Sequence, residues 1–405
     1  MKLDIPEPNE TIAVARFRQY LRIETVQPNP DYQSAKTFLE LYAAELNFPV
    51  KHLETVPGKW VTVMTCEGTD PNKKSILLNS HIDVVPVYPD YWKYPPFSAH
   101  KEENGDIYAR GSQDMKLVGI QYVEALREML ATGWKPERTF QIIWVPDEEI
   151  GGADGMKIML EKYRPWFDAL NVGFELDEGL ANPDDEYRCF YGERSPWWVV
   201  ATAKGQPGHG SQFIKNTAAE QMANFVAKVM KFRVEQESML EDPENKECTA
   251  LGDVTTVNWT MCQGGVQPNV VPAEMECTFD FRITPKQNMD DFGKMLNEWA
   301  DQSGPTLELA FTNKNTFQGC TSLEDPHWLS IKSSLEELGL KYRLEIFPAA
   351  TDARFLRETG IPSIGFSPMI GEDVLLHDHN EKLNEKTFLD GVQIYKTILK
   401  NICTV

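Results

Sequence analysis

Long apolar runs are absent from this chain of 405 residues. No stretch approaches the roughly 18 consecutive apolar residues of a membrane-spanning helix. The N-terminal segment also lacks the apolar core of a secretory signal. Hydrophobic residues make up 41% of the chain, which is ordinary globular usage. We therefore expect a soluble protein of the cytoplasm with no membrane partner.

Positive charge is scarce as well. Lys and Arg number 40 against 61 Asp and Glu, so the formal net charge is −21. A field of that sign repels phosphate groups and anionic lipid head groups, which argues against nucleic-acid or membrane-surface binding. The same acidic balance is compatible with a few carboxylate ligands for a metal ion.

Several motifs of other protein classes are also missing. The seven cysteines are scattered and form no Cys-x-x-Cys pair, which indicates reduced thiols in a cytosolic protein. The chain contains no GxSxG nucleophile elbow, no P-loop, no HExxH helix and no dinucleotide-binding GxGxxG. Acyl-serine, nucleotide and nicotinamide chemistry therefore have no support in the sequence.

Strand-like and helix-like patterns alternate along the chain, which predicts a layered α/β domain. Three apolar runs end in polar or acidic residues, as buried strands that lead into loops do: 75–79, 140–145 and 171–176. From about 196 to 312 the order β-α-β-β-α-β indicates a compact split-βαβ unit. We predict a catalytic α/β domain at 1–192 and 314–405, interrupted by an inserted α+β domain at 193–313.

Side chains capable of metal and proton chemistry follow the three apolar runs. His81 and Asp83 follow the first run, Glu148 and Glu149 the second, and Glu178 the third. Positions two apart in extended chain face the same side, so Asp83 can accept the spare ring N–H of His81. Because strand ends in such sheets gather at one edge, we expect these groups to converge.

Two further candidates lie elsewhere in the chain. Asp114 stands in a glycine-containing turn before a predicted helix, and His377 opens the run His-Asp-His-Asn-Glu. Each candidate has an ordinary alternative when taken alone: Asp114 could simply cap its helix, and the acidic and histidine loops could be solvated surface. Together they predict a two-metal site with one bridging carboxylate.

Longer segments carry a family resemblance, among them Glu193-Arg194-Ser195-Pro196-Trp197-Trp198, Gly365-Phe366-Ser367-Pro368-Met369 and Leu375-Leu376-His377-Asp378-His379. With the candidate ligands in the same order, the whole chain resembles the co-catalytic zinc metallopeptidase-like hydrolases, and within them the aminoacylases. The resemblance implies a three-layer aminopeptidase-like zinc-binding domain with an inserted dimerisation and lid domain. It also implies two zinc ions per subunit and a homodimer.

The resemblance implies a role for each candidate. Five residues would bind metal: His81 and Glu178 one zinc ion, Glu149 and His377 the other, with Asp114 bridging both. Glu148 would be the general base that takes a proton from the attacking water and gives it to the leaving amine. Asp83 would orient His81. Glu178 is preferred over Asp177, and His377 over His379, because the family has Glu before the glycine and ends on an H-x-x-[ND]-E pattern.

Four residues are implied to act on the substrate. His209, from the inserted domain of the partner subunit, would stabilise the oxyanion, which makes the homodimer obligate. Asn269 would reach the substrate from the lid. Arg354, with Thr351 in the same Thr-Asp-x-Arg element, would bind the substrate carboxylate, for which a guanidinium is well shaped.

The main hypothesis is zinc-dependent hydrolysis of N-acyl-L-amino acids to a carboxylate and a free L-amino acid. A zinc dipeptidase or carboxypeptidase would use the same ligands and differ by a pocket for a charged amino terminus. A non-catalytic metal-binding dimer is the third possibility, and the intact Glu148 argues against it. The sequence leaves the preferred acyl chain and amino acid open.

Overall fold

The computed structural model describes residues 1–312 and 319–405. The helices of this part of the chain are α1 (Ile12–Leu21), α2 (Tyr32–Leu46), α3 (Lys116–Ala131), α4 (Ile158–Lys162), α5 (Arg164–Ala169), α6 (Ala218–Glu241), α7 (Met289–Ser303), α8 (Pro326–Glu337), α9 (Ala353–Glu358) and α10 (Glu385–Ile402). None of these helices combines the length and the apolar character needed to cross a bilayer.

The strands of the same ranges are β1 (Val50–Val56), β2 (Lys59–Cys66), β3 (Ser75–His81), β4 (His100–Lys101), β5 (Asp106–Tyr108), β6 (Phe140–Val145), β7 (Val172–Asp177), β8 (Glu186–Glu193), β9 (Ser195–Lys204), β10 (Gly208–His209), β11 (Thr256–Gly264), β12 (Val270–Val271), β13 (Glu274–Ile283), β14 (Thr306–Thr312), β15 (Lys341–Phe347), β16 (Ser363–Phe366) and β17 (Lys382–Asn384). The three apolar runs singled out in the sequence are β3, β6 and β7.

The chain folds into two compact units. The first comprises Met1–Tyr191, Thr321–Leu344 and Thr351–Val405, and the second comprises Gly192–Cys320 and Glu345–Ala350. The inclusion of residues 345–350 in the second unit was not predicted, and the predicted boundary between residues 313 and 314 lies outside the described residues. The role of the second unit as a dimerisation and lid domain stays a prediction.

The first unit is built on an eight-stranded sheet with the order β1-β2-β6-β3-β7-β16-β8-β15. Strands β6, β3, β7 and β16 run parallel to one another. Both faces of these strands are covered, which explains why they read as continuous apolar runs. On one face Ile76 and Leu78 pack with α1, α3 and α10, whereas Leu77, Ile143 and Val145 pack on the other with α4 and α5. These helix, sheet and helix layers confirm the predicted α/β class.

The second unit contains a four-stranded sheet with the order β11-β13-β9-β14. Its strands pair antiparallel, and α6 and α7 pack on one face around a separate core that includes Trp197, Phe225, Phe279 and Phe292. Along the chain the order is β9-α6-β11-β13-α7-β14, as the split-βαβ pattern predicts. The short strands β10 and β12 pair separately.

Candidate active site

Three adjacent parallel strands bring the candidate residues to one edge of the large sheet. His81 is the last residue of β3 and lies opposite Val145, the last residue of β6. Glu148 and Glu149 follow β6 within a few residues, and Glu178 follows β7 directly. The carboxyl ends of parallel strands are the usual place for a ligand site in this architecture.

Asp114 lies between two histidines at this edge. Its Oδ1 atom is 2.9 Å from Nε2 of His81, and its Oδ2 atom is 3.2 Å from Nε2 of His377. His81 Nε2 is also 3.9 Å from Oε1 of Glu178, and His377 Nε2 is 3.1 Å from Oε2 of Glu149. The five residues predicted as metal ligands therefore form one continuous cluster, with the two oxygens of Asp114 directed to its two halves.

The alternative in which Asp114 only caps α3 is wrong. The residue at the N-cap position is Met115, which forms no side-chain cap, and the Asp114 carboxylate points to the histidines instead. His379, the alternative to His377, stacks on the ring of Tyr91 at 5.0 Å.

The donor set of this cluster fits divalent metal ions. Two sets of three residues each have possible ligand atoms that lie within 4.8 Å of one another inside the set. The first set is His81, Asp114 and Glu149, and the second is His81, Glu148 and Glu178. Imidazole nitrogens and carboxylate oxygens are the ligands of catalytic zinc sites. Oε1 of Glu149 is buried with no hydrogen-bond partner among the described residues, as expected of an oxygen kept for a metal ion.

Burial and like charge control the ionisation of the cluster. Burial, together with the nearby Asp114 carboxylate, raises the pKa of Glu149 to about 7 and that of Glu178 well above its usual range. Burial has the same effect on Asp114, but the hydrogen bonds with His377 and His81 outweigh it and hold the pKa of Asp114 below its usual range. A bound cation would relieve the repulsion between these carboxylates.

Glu148, the predicted general base, lies beside Arg354. Burial raises the pKa of the Glu148 carboxyl well above its usual range, and His81 and Arg354 oppose that effect. Nη1 of Arg354 is 3.6 Å from Oε1 of Glu148 and donates a hydrogen bond to the carbonyl of Thr351 at 2.7 Å. Both Arg354 and Thr351 are buried. Of the two predicted carboxylate-binding residues, Arg354 therefore lies next to the predicted base, and Thr351 holds Arg354 through its carbonyl.

The predicted contact between Asp83 and His81 differs in the structure. Nδ1 of His81 lies 2.9 Å from the backbone carbonyl of Asp83 and 3.8 Å from its carboxylate. The carboxylate is occupied elsewhere, because it accepts the backbone N–H groups of Glu148 at 3.0 Å and Glu149 at 3.2 Å. It also accepts the side-chain amide of Gln27 at 2.9 Å. Asp83 therefore orients His81 through its main chain and holds the segment that follows β6 through its side chain.

His209 and Asn269 lie near each other in the second unit. His209 in β10 pairs with Val270 in β12, and the amide of Gly210 donates to the carbonyl of Asn269 at 2.9 Å. Both side chains are exposed: Nδ1 of His209 is 2.8 Å from the Ser211 hydroxyl, and Oδ1 of Asn269 accepts a hydrogen bond from Gln267.

Sequence reasoning missed the function of Glu381. Its fully buried carboxylate accepts hydrogen bonds from the Arg110 guanidinium at 2.6 Å and from the backbone N–H groups of Gly111, Gln113 and Asp114. It thereby fixes the turn that presents Asp114. The signal was available, because Glu381 is the last residue of the His377 pattern.

Comparison with known proteins agrees with this geometry. The model of peptidase family M20/M25/M40 matches residues 77–401. Aminoacylase-1 of Mus musculus is 48% identical over 400 residues, which cover 98% of this chain and 97% of that protein.

Solved structures of other proteins share the fold. An M20 family metallo-carboxypeptidase from Sulfolobus solfataricus superposes with a TM-score of 0.76 at 16% identity, covering 97% of this chain and 99% of that one. The YXEP protein of Bacillus subtilis, a dinuclear metal binding peptidase, superposes with a TM-score of 0.66 at 14% identity, and 96% of each chain is covered.

The chain belongs to peptidase family M20/M25/M40. It is a metal-dependent hydrolase that acts on amide bonds. The resemblance drawn from the sequence is thereby confirmed.

Proposed function

We propose that this protein hydrolyses N-acyl-L-amino acids to a carboxylate and a free L-amino acid, using two zinc ions per subunit. The observation that carries the substrate class is the 48% identity to an aminoacylase-1 over 98% of the chain. The observation that supports two ions is Asp114, whose two carboxylate oxygens face His81 and His377.

The metal pair would supply a Lewis acid and lower the pKa of water toward neutrality. The five ligands would be His81, Glu178, Asp114, Glu149 and His377. Within this site Glu148 takes a proton from the attacking water and then delivers it to the nitrogen of the leaving amine. Burial, which favours its protonated form, suits it to hold that proton between the two events.

Arg354 is well placed to bind the substrate carboxylate. In an N-acyl amino acid the carboxylate carbon is only two bonds from the scissile amide nitrogen. The group that binds the carboxylate must therefore lie within a few ångströms of the group that protonates that nitrogen. The 3.6 Å separation of Arg354 and Glu148 meets this requirement, and the Thr351 carbonyl holds the guanidinium in place.

His209 and Asn269 belong to the proposal as residues of the second unit. We propose that this unit forms the lid and the homodimer contact, and that His209 of the partner subunit stabilises the oxyanion. The pairing of β10 with β12 supports a joint role, because it places His209 in a two-stranded antiparallel sheet and Asn269 directly before the second strand of that sheet.

The proposal includes a cytosolic location. Cys66, Cys248, Cys262, Cys277 and Cys403 are free thiols in the fold, which suits a reducing compartment.

The substrate class is tested by comparing N-acetyl-L-methionine with L-alanyl-L-methionine, which differ mainly in the acetyl group and the charged amino terminus. We expect faster hydrolysis of the acetylated substrate by the zinc-loaded protein, and no hydrolysis of either by Glu148→Gln. Exclusive cleavage of the dipeptide would show that the protein acts as a peptidase and not as an aminoacylase. Inactivity on both, and on longer acyl chains, would contradict the enzymatic proposal.

A further inference from the structure

Two cysteines face each other across neighbouring strands of the second unit. Cys262 in β11 lies directly opposite Cys277 in β13, and the pairing continues through Gln263 with Glu276 and Gly264 with Met275. Directly opposed residues of an antiparallel pair project from the same face of the sheet. Their Cα atoms are about 4.5 to 5.5 Å apart, within the roughly 4.4 to 6.8 Å that a disulfide spans.

The two thiols differ in their surroundings. Cys262 is exposed on β11, which is an edge strand of the four-stranded sheet, whereas Cys277 is buried. Burial and the adjacent Cys262 thiol raise the pKa of Cys277 to about 12. Burial is the larger cause of the raised pKa, and only the smaller part that comes from the Cys262 thiol ends once Cys262 is oxidised. Because Cys262 is exposed and Cys277 is buried, an oxidant in solution reaches Cys262 first. Cys277 is the thiol positioned to react next.

The segment between the two cysteines carries features of the proposed active site. Residues 263–276 include Asn269 and β12, and β12 pairs with the strand that holds His209. Near its start the segment has two glycines at positive φ, Gly264 and Gly265, and its Val266 side chain is 92% exposed. A covalent link at its base would restrict local opening of this segment.

We propose that Cys262 and Cys277 are a reversible oxidation site whose cross-strand disulfide closes the base of the 263–276 segment. With hydrogen peroxide as oxidant, the Cys262 thiol loses its proton and the thiolate attacks one oxygen of the peroxide. The O–O bond breaks, Cys262 sulfenic acid forms, and the departing hydroxide takes up the proton of the thiol to give one water. The Cys277 sulfur then attacks the sulfenic sulfur while its thiol proton is transferred to the sulfenic oxygen, so the S–S bond forms, the S–O bond breaks, and the oxygen leaves as a second water. Two electrons pass from the two thiols to the peroxide.

Peptide mapping of the full-length, metal-loaded protein tests the chemistry. Trypsin releases residues 247–282 as one peptide with three cysteines, so Cys248→Ser serves as the matched control that leaves only the proposed pair. After mild peroxide treatment we expect this peptide to be lighter by two hydrogens. After cleavage at Glu274 and Glu276, the fragment that holds Cys262 and the fragment 277–282 should stay linked until they are reduced. Cys262→Ser, a change at an exposed position, should abolish both effects.

Hydrogen exchange tests the consequence. We expect several-fold slower exchange of backbone amides in residues 265–273 after oxidation, reversed by dithiothreitol and absent in Cys262→Ser. The proposed site would be overturned by any of three results: thiols that do not react, oxidation of Cys262 beyond the sulfenic acid with no bond to Cys277, or a disulfide between two chains. Unchanged exchange in the oxidised protein would overturn its effect on the segment. Neither readout uses hydrolytic activity, so failure here is distinct from failure of the proposed function.

Discussion

The Asp83 carboxylate accepts the backbone N–H of Glu148 at 3.0 Å. The same carboxylate accepts the N–H of Glu149 at 3.2 Å, and the main-chain carbonyl of Asp83 faces Nδ1 of His81. One residue thus sets the positions of the proposed base and of a ligand in each half of the metal cluster. Its side chain is fully buried, so these hydrogen bonds have no water to replace them.

We expect Asp83→Asn to lower kcat by about 10- to 100-fold, the usual cost of losing a group that supports metal ligands. An amide offers only one acceptor oxygen, and its NH2 group would face a backbone N–H. Steady-state kinetics and metal content measure the effect. Asp31→Asn, which keeps the N-cap of α2, is the matched control. Equal activity of the two variants would contradict the assigned role of Asp83.

Tyr32 forms two hydrogen bonds with Asp147, the residue before the proposed base. Its hydroxyl donates to the Asp147 carboxylate at 2.6 Å and accepts the Asp147 backbone N–H at 2.9 Å. Asp147 has a φ of 63°, an uncommon value for a residue other than glycine, so the surrounding contacts must hold it there. Lys59 also forms an ion pair with Asp147.

We expect Tyr32→Phe to reduce kcat by about tenfold with little change in KM, because the base loses its fixed position while substrate contacts persist. Zinc content should stay at the wild-type value. Tyr163→Phe removes a hydroxyl that donates to the Glu54 carbonyl and serves as the control. A rise in KM alone would show that Tyr32 does not act through the base.

Much of the site could be predicted from local pattern. His81, Glu148, Glu149 and Glu178 follow apolar runs, and parallel strands bring such ends together whatever the details of packing. The Asp83 contact was predicted in the wrong form because the choice between its carbonyl and its carboxylate depends on the backbone path. That path is fixed by the 148–149 segment, which is distant in sequence.

Glu381 shows a second limit of prediction from sequence. Its partners in the folded chain are Arg110, Gly111, Gln113 and Asp114. They are more than 260 residues away in sequence, and only folding brings them together.

Strands β1 and β2 were also not predicted. They lie at one side of the large sheet, where the pattern of exposed and buried residues is less regular than in β3 or β6.

We expect Glu381→Gln to destabilise the protein by about 3 to 5 kcal/mol, because it leaves the buried Arg110 charge without its partner. The turn that presents Asp114 would loosen, so metal affinity should fall as well. Urea unfolding and metal titration measure the two effects. Glu385→Gln breaks the more exposed pair with Lys101 and should cost less than about 1 kcal/mol. Similar unfolding curves for both variants would exclude a supporting role for Glu381.

Subunit mixing tests whether the active site is shared. Glu148→Gln should lose at least about a hundredfold in activity while keeping its metal, because only the proposed base is removed. His209→Asn should be inactive because it lacks the side chain that we propose to stabilise the oxyanion. Mixed under conditions of subunit exchange, the two variants should regain partial activity, since one heterodimer site would hold both wild-type residues. No recovery, with exchange confirmed by mass tags, would place His209 outside the partner's site.

Zinc titration of the metal-free protein tests the central claim most directly. Hydrolysis of N-acetyl-L-methionine should be absent after chelation and should reach its maximum at about two zinc ions per subunit, as a pair of sites sharing Asp114 requires. Full activity in the chelated protein, or saturation at one equivalent, would contradict the two-metal account.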